Sequence, residues 1–189
     1  MAPIPPYTID GILPPYIGAE PGGPQADMSP YDASLVEVID RFATSPERVA
    51  IASGFLRYRT DLRINGVTDG FQWVDGSFLE DVENARGRPP KDIDIVTFIE
   101  SNQTVAFNRL ATTNPELIKK SLSKNAYKCD VHFVPLGYPA AWVISQTRYF
   151  VLLFSHQRET ELWKGLLRVS LDAAEDAAAA EMLASRTVT

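Results

Sequence analysis

Two aspartates, Asp92 and Asp94, are separated by one isoleucine at the start of an apolar segment that ends at Ile99. Side chains two residues apart on a β-strand point to the same face, so these two carboxylates are expected side by side. Close carboxylates repel each other and are costly to remove from water unless a cation neutralises them. The pair therefore predicts a site for a hard divalent cation, Mg²⁺ or alternatively Mn²⁺. The competing interpretation is a solvated strand end, where Asp92 caps the preceding loop.

Gly76 and Ser77 form a short turn directly after the predicted strand Phe71–Asp75. Glycine lets the backbone approach a ligand closely, and backbone N–H groups at such a turn attract an anionic phosphate. A phosphate site beside a carboxylate metal site is the minimum equipment for phosphoryl or nucleotidyl transfer. Taken alone, however, the pair is explained by an ordinary turn.

A third carboxylate, Asp130, lies within the predicted strand Lys128–Pro135. It would complete the site, either by accepting the proton of an acceptor hydroxyl or by helping to hold the metal. The alternative is a structural ion pair with a nearby lysine or arginine. Arg158 and Lys164 are candidates for contacts with a triphosphate tail, because phosphate sites recruit such cations, although a solvated loop also explains them.

Strands and helices alternate along the chain, and this order predicts an α/β (α+β) fold with a mixed sheet flanked by helices. Asp92–Ile99 is predicted to be a central strand, because both of its faces are apolar beyond the two aspartates. The other predicted strands are Phe71–Asp75, Lys128–Pro135 and Trp163–Leu171.

Helix starts are predicted where a serine or an asparagine precedes a proline. These signals occur at Ser29-Pro30, at Ser45-Pro46 and at Asn114-Pro115, the third helix having Leu117, Ile118 and Leu122 inward. An apolar helix is predicted over Pro139–Phe154. The charged segment Glu83–Lys91, which contains a glycine and two prolines, is predicted to be a loop.

The chain has 189 residues, which fits one domain with additional terminal segments. We divide it into a proline- and glycine-rich arm (1–30), a main domain (31–171) and an alanine-rich C-terminal helix (172–189). Proline fixes φ and lacks an N–H, so the arm is neither a helix nor a central strand. Its many isoleucines and tyrosines favour a strap docked on the domain over a solvated linker.

Composition and charge bear on the partners and the compartment, although a local basic groove for nucleic acid could still exist. The net charge of −6 gives a whole-molecule field that repels nucleic acid. The single cysteine, Cys129, excludes an internal disulfide and suits a reducing compartment. No apolar run approaches the length of a membrane span. We therefore expect a cytoplasmic protein without membrane association, and the sequence does not determine its oligomeric state.

The glycine–serine turn, the spacer, the Asp-hydrophobic-Asp strand and the later strand aspartate together resemble the DNA polymerase β-like nucleotidyltransferase superfamily. More narrowly, the chain resembles a bacterial and phage-associated family of that fold, through residues 11–15 (GILPP), 75–78 (DGSF), 90–96 (PKDIDIV), 154–158 (FSHQR) and 163–165 (WKG). This resemblance implies a compact nucleotidyltransferase-like domain. It also implies a role in a toxin–antitoxin or phage-defence system.

Two hypotheses about function follow. In the first, the protein uses Mg²⁺ to transfer a nucleoside monophosphate from an NTP to an acceptor hydroxyl on RNA, a protein or a small molecule. In the second, the same fold binds a nucleotide or a cognate partner protein without turnover. The small size of the chain and the lack of an evident acceptor-binding domain favour the second hypothesis.

Overall fold

The fold is built on one mixed β-sheet, seen in a computed structural model that describes residues 4–158 and 160–187. The strands are β1 (Tyr31–Asp32), β2 (Gly70–Asp75), β3 (Ile93–Ile99), β4 (Cys129–Pro135) and β5 (Leu167–Ser170). Their order in the sheet is β1-β5-β2-β3-β4. Strand β2 is antiparallel to β3 and β5, whereas the pairs β1–β5 and β3–β4 are parallel. The predicted fold class is therefore confirmed.

Helices flank this sheet. They are α1 (Leu35–Phe42), α2 (Pro46–Ile64), α3 (Val82–Arg86), α4 (Thr104–Thr113), α5 (Pro115–Ile118), α6 (Lys120–Tyr127), α7 (Ala140–Phe154) and α8 (Asp176–Thr187). Short 3₁₀ helices occupy Gln25–Asp27, Ser77–Leu79, Ser101–Gln103 and Ala173–Glu175. No described helix has the length and apolarity that crossing a bilayer requires.

The two faces of the sheet are covered unequally. Side chains alternate along a strand, so Ile95 of β3 faces one side and Val96 the other. The side of Ile95 packs against α1, α2, α4, α5, α6 and α8 in the main hydrophobic core. The side of Val96 packs against Phe150 and Phe154 of α7 in a smaller cluster. Both β3 side chains are fully buried, which confirms a central strand with two apolar faces.

The predicted apolar helix is present as α7, but its outer side is exposed. Ile144, Tyr149 and Leu152 all face solvent, although the helix carries few charges. The predicted C-terminal helix is present as α8, and its Ala179 and Leu183 belong to the main core. The last two residues of that predicted segment, 188–189, lie outside the described residues.

The serine signals for helix starts are right in one case and wrong in another. Ser45 caps α2 with its side chain, as predicted. Ser29-Pro30 does not begin a helix, because the residues that follow form β1 and pair with β5. The helix begins only at Leu35, since Ser34 and Glu37 form a reciprocal capping box at that point.

The segment Glu83–Lys91 is not entirely a loop, as the sequence had suggested. Helix α3 continues to Arg86 and ends at Gly87, whose φ of 62° is the left-handed conformation common after a helix C-terminus. Glu83 is held in this helix by an ion pair with Arg48 of α2, with Nε and Oε1 2.6 Å apart. A long-range contact thus orders a segment whose local composition indicates a loop.

Two further predictions are wrong in detail. Leu122 is 40% exposed rather than inward, because extended backbone at Lys119 separates α5 from α6 and redirects the buried side of the second helix. Strand β5 begins at Leu167 rather than at Trp163, which forms only an isolated bridge with His156. In addition, α4 lies in a segment where the sequence analysis placed no element.

The N-terminal arm is docked on the domain through the buried side chains of Ile4, Ile12 and Leu13, as the strap interpretation predicted, whereas Ile9 and Ile17 are exposed. Residues 1–3 lie outside the described residues. The carbonyl of Gly11 accepts a hydrogen bond from the N–H of Asp81 at 2.8 Å. The carbonyl of Leu13 likewise accepts one from the N–H of Gly165 at 2.8 Å. The strap therefore fixes two segments that lie far apart in sequence, one after β2 and one before β5.

Arg48 of α2 anchors the segment after β2 from behind. Its side chain is buried, and its guanidinium donates hydrogen bonds to the carbonyls of Phe78 at 2.6 Å and of Glu80 at 2.5 Å. The same guanidinium pairs with Glu83 through two further hydrogen bonds. Because this contact satisfies both buried carbonyls and a carboxylate, it determines the path of the chain from Ser77 to α3.

We expect Arg48→Met to destabilise the protein by about 2 kcal/mol or more, since each buried acceptor left without a donor costs about 1–3 kcal/mol. The measurement is urea unfolding monitored by circular dichroism. Arg57→Met is the matched control, because Arg57 lies on the same helix and makes one exposed hydrogen bond, to the carbonyl of Ala126. Equal stability losses in the two variants would contradict the anchoring role.

Candidate functional site

Three aspartates lie in one row across three adjacent strands. Asp75 of β2 is the register partner of Asp94 of β3, which is in turn the register partner of Asp130 of β4. Register partners point to the same face of a sheet, and Asp92, two residues before Asp94, shares that face. The sheet thus brings together the three aspartates predicted from the sequence and adds a fourth.

Gly76 gives the turn after β2 the room that this row of carboxylates requires. Its φ of 88° lies in the left-handed region that favours glycine. A Cβ at this position would lie 2.0 Å from Oδ2 of Asp94. The glycine is therefore explained first by the close approach of a carboxylate from the same chain. Ser77 follows it and begins a 3₁₀ helix, at the mouth of the same site.

Asp94 is the least neutralised carboxylate of the four. Asp75, Asp92 and Asp130 each form an ion pair with a lysine, whereas Asp94 forms none within residues 4–158 and 160–187. Burial raises the pKa of Asp94 to about 7, and the negative charges of the other three aspartates add to this shift. A cation placed close to Asp94 would oppose this shift, because a positive charge favours the ionised carboxylate.

Asp130 is held by two lysines of α6. Its Oδ2 lies 2.7 Å from Nζ of Lys120 and 2.9 Å from Nζ of Lys124, which also lies 2.7 Å from Oδ2 of Asp92. Burial opposes ionisation of Asp130, but the proximity of His132 and of the two lysines holds its pKa well below its usual range. The alternative predicted for Asp130, a structural ion pair, is therefore present.

Lys164 is buried at the base of the site rather than solvated in a loop. Its Nζ lies 2.9 Å from Oδ1 of Asp75 and 2.9 Å from Oε1 of Glu80. Gln157 donates a hydrogen bond of 2.8 Å to the other oxygen of Glu80. Burial disfavours the charged amine, but the two carboxylates outweigh this effect and raise the pKa of Lys164. The solvated-loop interpretation of Lys164 is therefore wrong, and its contact with a triphosphate stays a prediction.

The carboxylates open into a cavity of about 320 Å³ at the C-terminal end of α7. Every residue assigned to the site from the sequence lines it, namely Gly76, Ser77, Asp92, Asp94, Asp130, Arg158 and Lys164. Further cations line it as well: Arg86, Arg88, Lys91 and Lys124. In a protein whose net charge is −6, this cavity concentrates positive side chains around a carboxylate centre.

Sequence reasoning missed several side chains of the site. Asp75 carried a signal, because a carboxylate inside a buried strand and next to Gly76 needs a partner. Lys120 and Lys124 lie four residues apart and so share one side of a helix, but nothing local indicates which carboxylates they meet. Glu80 carried no signal, since its burial follows from its contacts with Lys164 and Gln157.

The carboxylates suit a hard cation in their chemistry, but a lysine lies among them. Within the described ranges, no three His, Cys, Asp or Glu side chains are arranged to hold a metal ion. Nζ of Lys124 lies between Asp92 and Asp130, where a bridging cation would bind. Among the described residues Oδ1 of Asp130 is buried without a hydrogen-bond partner, and Nε2 of His132 lies 3.5 Å away. Oxygen ligands are thus available to a cation that displaces the lysine.

Fold and site together define an α/β protein with a carboxylate centre in a cavity lined by cations. The chain belongs to the family of unknown function DUF6932, whose family model matches residues 5–170. The match includes the arm from residue 5 onward, all five strands and every residue that lines the cavity. Neither the curated proteins nor the solved structures include a significant match to the chain.

Asp94→Asn should stabilise the metal-free protein at high pH. The pKa of Asp94 is raised from 3.8 to about 7 in the folded protein, so between these values the folded state binds more protons than the unfolded state. The stability of the wild type therefore falls as the pH rises through this window, and the variant lacks this loss. In EDTA at pH 8 we expect a gain of about 1–3 kcal/mol, shrinking towards pH 4, by urea unfolding.

Asp92→Asn is the matched control, because Asp92 is already paired with Lys124 and its replacement relieves less repulsion. We expect this variant to gain no stability between pH 4 and pH 8. Both variants should bind Mg²⁺ more weakly than the wild type. An Asp94→Asn protein that is less stable than the wild type at pH 8 in EDTA would contradict this description of the site.

Proposed function

We propose that the protein binds a nucleoside triphosphate in this cavity and transfers its nucleoside monophosphate to an acceptor hydroxyl, with Mg²⁺ as cofactor. The observation that carries the proposal is the convergence of Gly76-Ser77 with Asp92, Asp94 and Asp130 on one cavity. These residues were selected from their spacing alone, and they come from three different strands or strand ends. The resemblance of the same segments to the nucleotidyltransferase superfamily supports this proposal.

The charges of the cavity support an anionic ligand. Arg88, Lys91 and Arg158 lie on exposed segments around its mouth, where they can contact a phosphate without losing an internal partner. Lys164 is committed to Asp75 and Glu80, so we assign it to holding the carboxylates in place. A triphosphate would therefore enter at the exposed cations, with its reacting phosphate towards the aspartates.

We assign Asp92, Asp94 and Asp130 to holding the metal ion. Asp130 is a weak base because its pKa is held low, which favours the ligand role over the proton-accepting role among the two alternatives. Asp92 and Asp94 lie beside it and would hold the same ion. When bound, Mg²⁺ would neutralise phosphate charge and orient the triphosphate for displacement. In that displacement the acceptor hydroxyl gives up its proton to solvent water, its oxygen bonds to the α-phosphorus, and pyrophosphate leaves with the electron pair of the bond between the α-phosphorus and the bridging oxygen.

The second candidate function is a module of the same fold that binds a nucleotide or a partner protein without turnover. The ion pairs of Lys124 with Asp92 and Asp130 favour this alternative, because a lysine already neutralises two of the proposed ligands. A role in a toxin–antitoxin or phage-defence system is compatible with both functions. The acceptor of the transferase would be an RNA, a protein or a small molecule, and the ligand of the module without turnover would be a nucleotide or a cognate partner protein.

Mg²⁺ and ATP together should raise the melting temperature more than either does alone, because both bind the same cavity of the folded state. A ligand that binds only the native state at 100 times its Kd adds about 2.7 kcal/mol of stability. The measurement is thermal unfolding with each of the four NTPs, with and without Mg²⁺. If no combination shifts the transition, the phosphate site does not exist.

The same NTPs, labelled at the α-phosphate, distinguish the two candidate functions. Incubation with Mg²⁺ and with RNA or cell extract should give a labelled product if the protein is a transferase. Thermal stabilisation without any label transfer would select the module without turnover. Asp94→Asn is the control for transfer, since it should remove labelling while leaving the protein folded.

Arg158→Ala should weaken NTP binding by about tenfold or more, because a hydrogen bond to a charged group is worth about 1.5–3 kcal/mol. The measurement is isothermal titration with the Mg²⁺ complex of whichever NTP stabilises the protein most. Arg109→Ala is the matched control, since Arg109 is exposed on α4 and does not line the cavity. Equal affinities in the wild type and both variants would show that Arg158 belongs to a solvated loop and does not contact the nucleotide.

A further inference from the structure

Lys124 lies within the site, but neither candidate function gives this residue a role. Its amine bridges two carboxylates from different strand ends, 2.7 Å from Oδ2 of Asp92 and 2.9 Å from Oδ2 of Asp130. A cation shared by two carboxylates in this way removes the repulsion between them, as a bound metal ion does. The amine and a divalent ion therefore compete for the same oxygens.

The surroundings of Lys124 allow its amine to leave. The side chain is 37% exposed, whereas that of Lys164, the other lysine bound by two carboxylates, is 5% exposed. Lys124 also lines the cavity, together with the cations assigned to phosphate contact. Its flexible stem ends in a compact charge that a phosphate oxygen can accept as readily as a carboxylate can.

Because Lys120 contacts Asp130 but not Asp92, the loss of Lys124 would affect these two carboxylates differently. Lys120 binds Oδ2 of Asp130 at 2.7 Å and has no contact with Asp92. If Lys124 leaves, Asp130 keeps one cation, while Asp92 and Asp94 have none. These two carboxylates lie side by side at the start of β3, so the loss of Lys124 creates the pair that was predicted from the sequence to bind a divalent ion.

We propose that Lys124 is a tethered cation that fills the divalent-metal position in the empty protein and transfers to the phosphate of the incoming ligand, so that the metal and the phosphate ligand bind cooperatively. This inference rests on the proposed function, because it concerns the same metal and the same ligand. It adds that Lys124 pairs with Asp92 and Asp130 in the empty protein and with the phosphate in the ligand-bound protein. By linkage, the ligand that removes Lys124 from Asp92 strengthens metal binding, and the metal strengthens ligand binding by the same factor.

Two titrations with opposite expected signs test this role. In the first, Mn²⁺ alone is titrated into the protein and followed by calorimetry and by the electron paramagnetic resonance of free Mn²⁺. Lys124→Met should bind Mn²⁺ at least tenfold more tightly than the wild type, because no amine competes for Asp92 and Asp130. In the second, inorganic tripolyphosphate is titrated in EDTA, and the same variant should bind it more weakly than the wild type.

Lys91→Met is the control for the Mn²⁺ titration. It removes one positive charge from the cavity lining but no contact with a carboxylate, so its Mn²⁺ affinity should stay within about threefold of the wild type. Lys124→Gln is a second variant, used with circular dichroism to confirm that a change at this position leaves the fold intact. A tenfold gain in both Lys124 variants, without a gain in Lys91→Met, supports the proposal.

The other outcomes separate the inference from the proposed function. If the wild type and the Lys124 variants bind Mn²⁺ with equal affinity, the competition is overturned while the metal site stands. If Lys124→Met gains Mn²⁺ affinity but binds tripolyphosphate as the wild type does, the transfer to phosphate is overturned. If none of these proteins binds Mn²⁺, the metal site and the competition are both overturned.

Discussion

The repulsion between four carboxylates at one end of the sheet is the constraint on which the rest of the site depends. Asp75, Asp92, Asp94 and Asp130 are brought together by strand register, and strand pairing alone gives them no means of separating. The negative charges of these carboxylates are neutralised by side chains that do not belong to the three strands. These side chains are lysines before β5 and on α6. Asp94, which forms no ion pair with a lysine among the described residues, has a raised pKa because it is buried and because the other three aspartates are negatively charged.

Buried contacts hold the framework on one side of the site, and the opposite side of the site is open. Arg48 ties α2 to the segment after β2, and the N-terminal arm crosses the same segment before it reaches Gly165, next to Lys164. These contacts hold the carboxylates and their buried lysine from below. The exposed cations of the cavity, by contrast, lie on loops and on the outer side of α6. The buried carboxylates and Lys164 are thus held in fixed positions, whereas the exposed cations can adjust. This arrangement suits the binding of an anion above a fixed carboxylate centre.

A tethered lysine and a divalent ion are two solutions to the same electrostatic problem. The lysine brings one positive charge and is always present, so it stabilises the protein in the absence of any ligand. A divalent ion brings two charges and accepts oxygen ligands from both the protein and a phosphate. The short ion pairs of Lys124 describe the first state, and the unpaired Asp94 is suited to the second. The two candidate functions differ in whether the protein ever exchanges one state for the other.

Features that depend only on neighbouring residues can be predicted from the sequence. Strand alternation is a local pattern, and it predicts that Asp92 and Asp94 point to the same face of the sheet and that β3 has two apolar sides. Helix capping is also local, and it predicts the cap at Ser45. The same kind of signal was wrong at Ser29-Pro30, where pairing with β5 overrides it. Which charged side chains come into contact depends on the tertiary structure. The row from Asp75 to Asp130 depends on strand register, and the contacts of Lys124 depend on how α6 docks, because distances between residues far apart in the chain are set by packing and not by any local pattern.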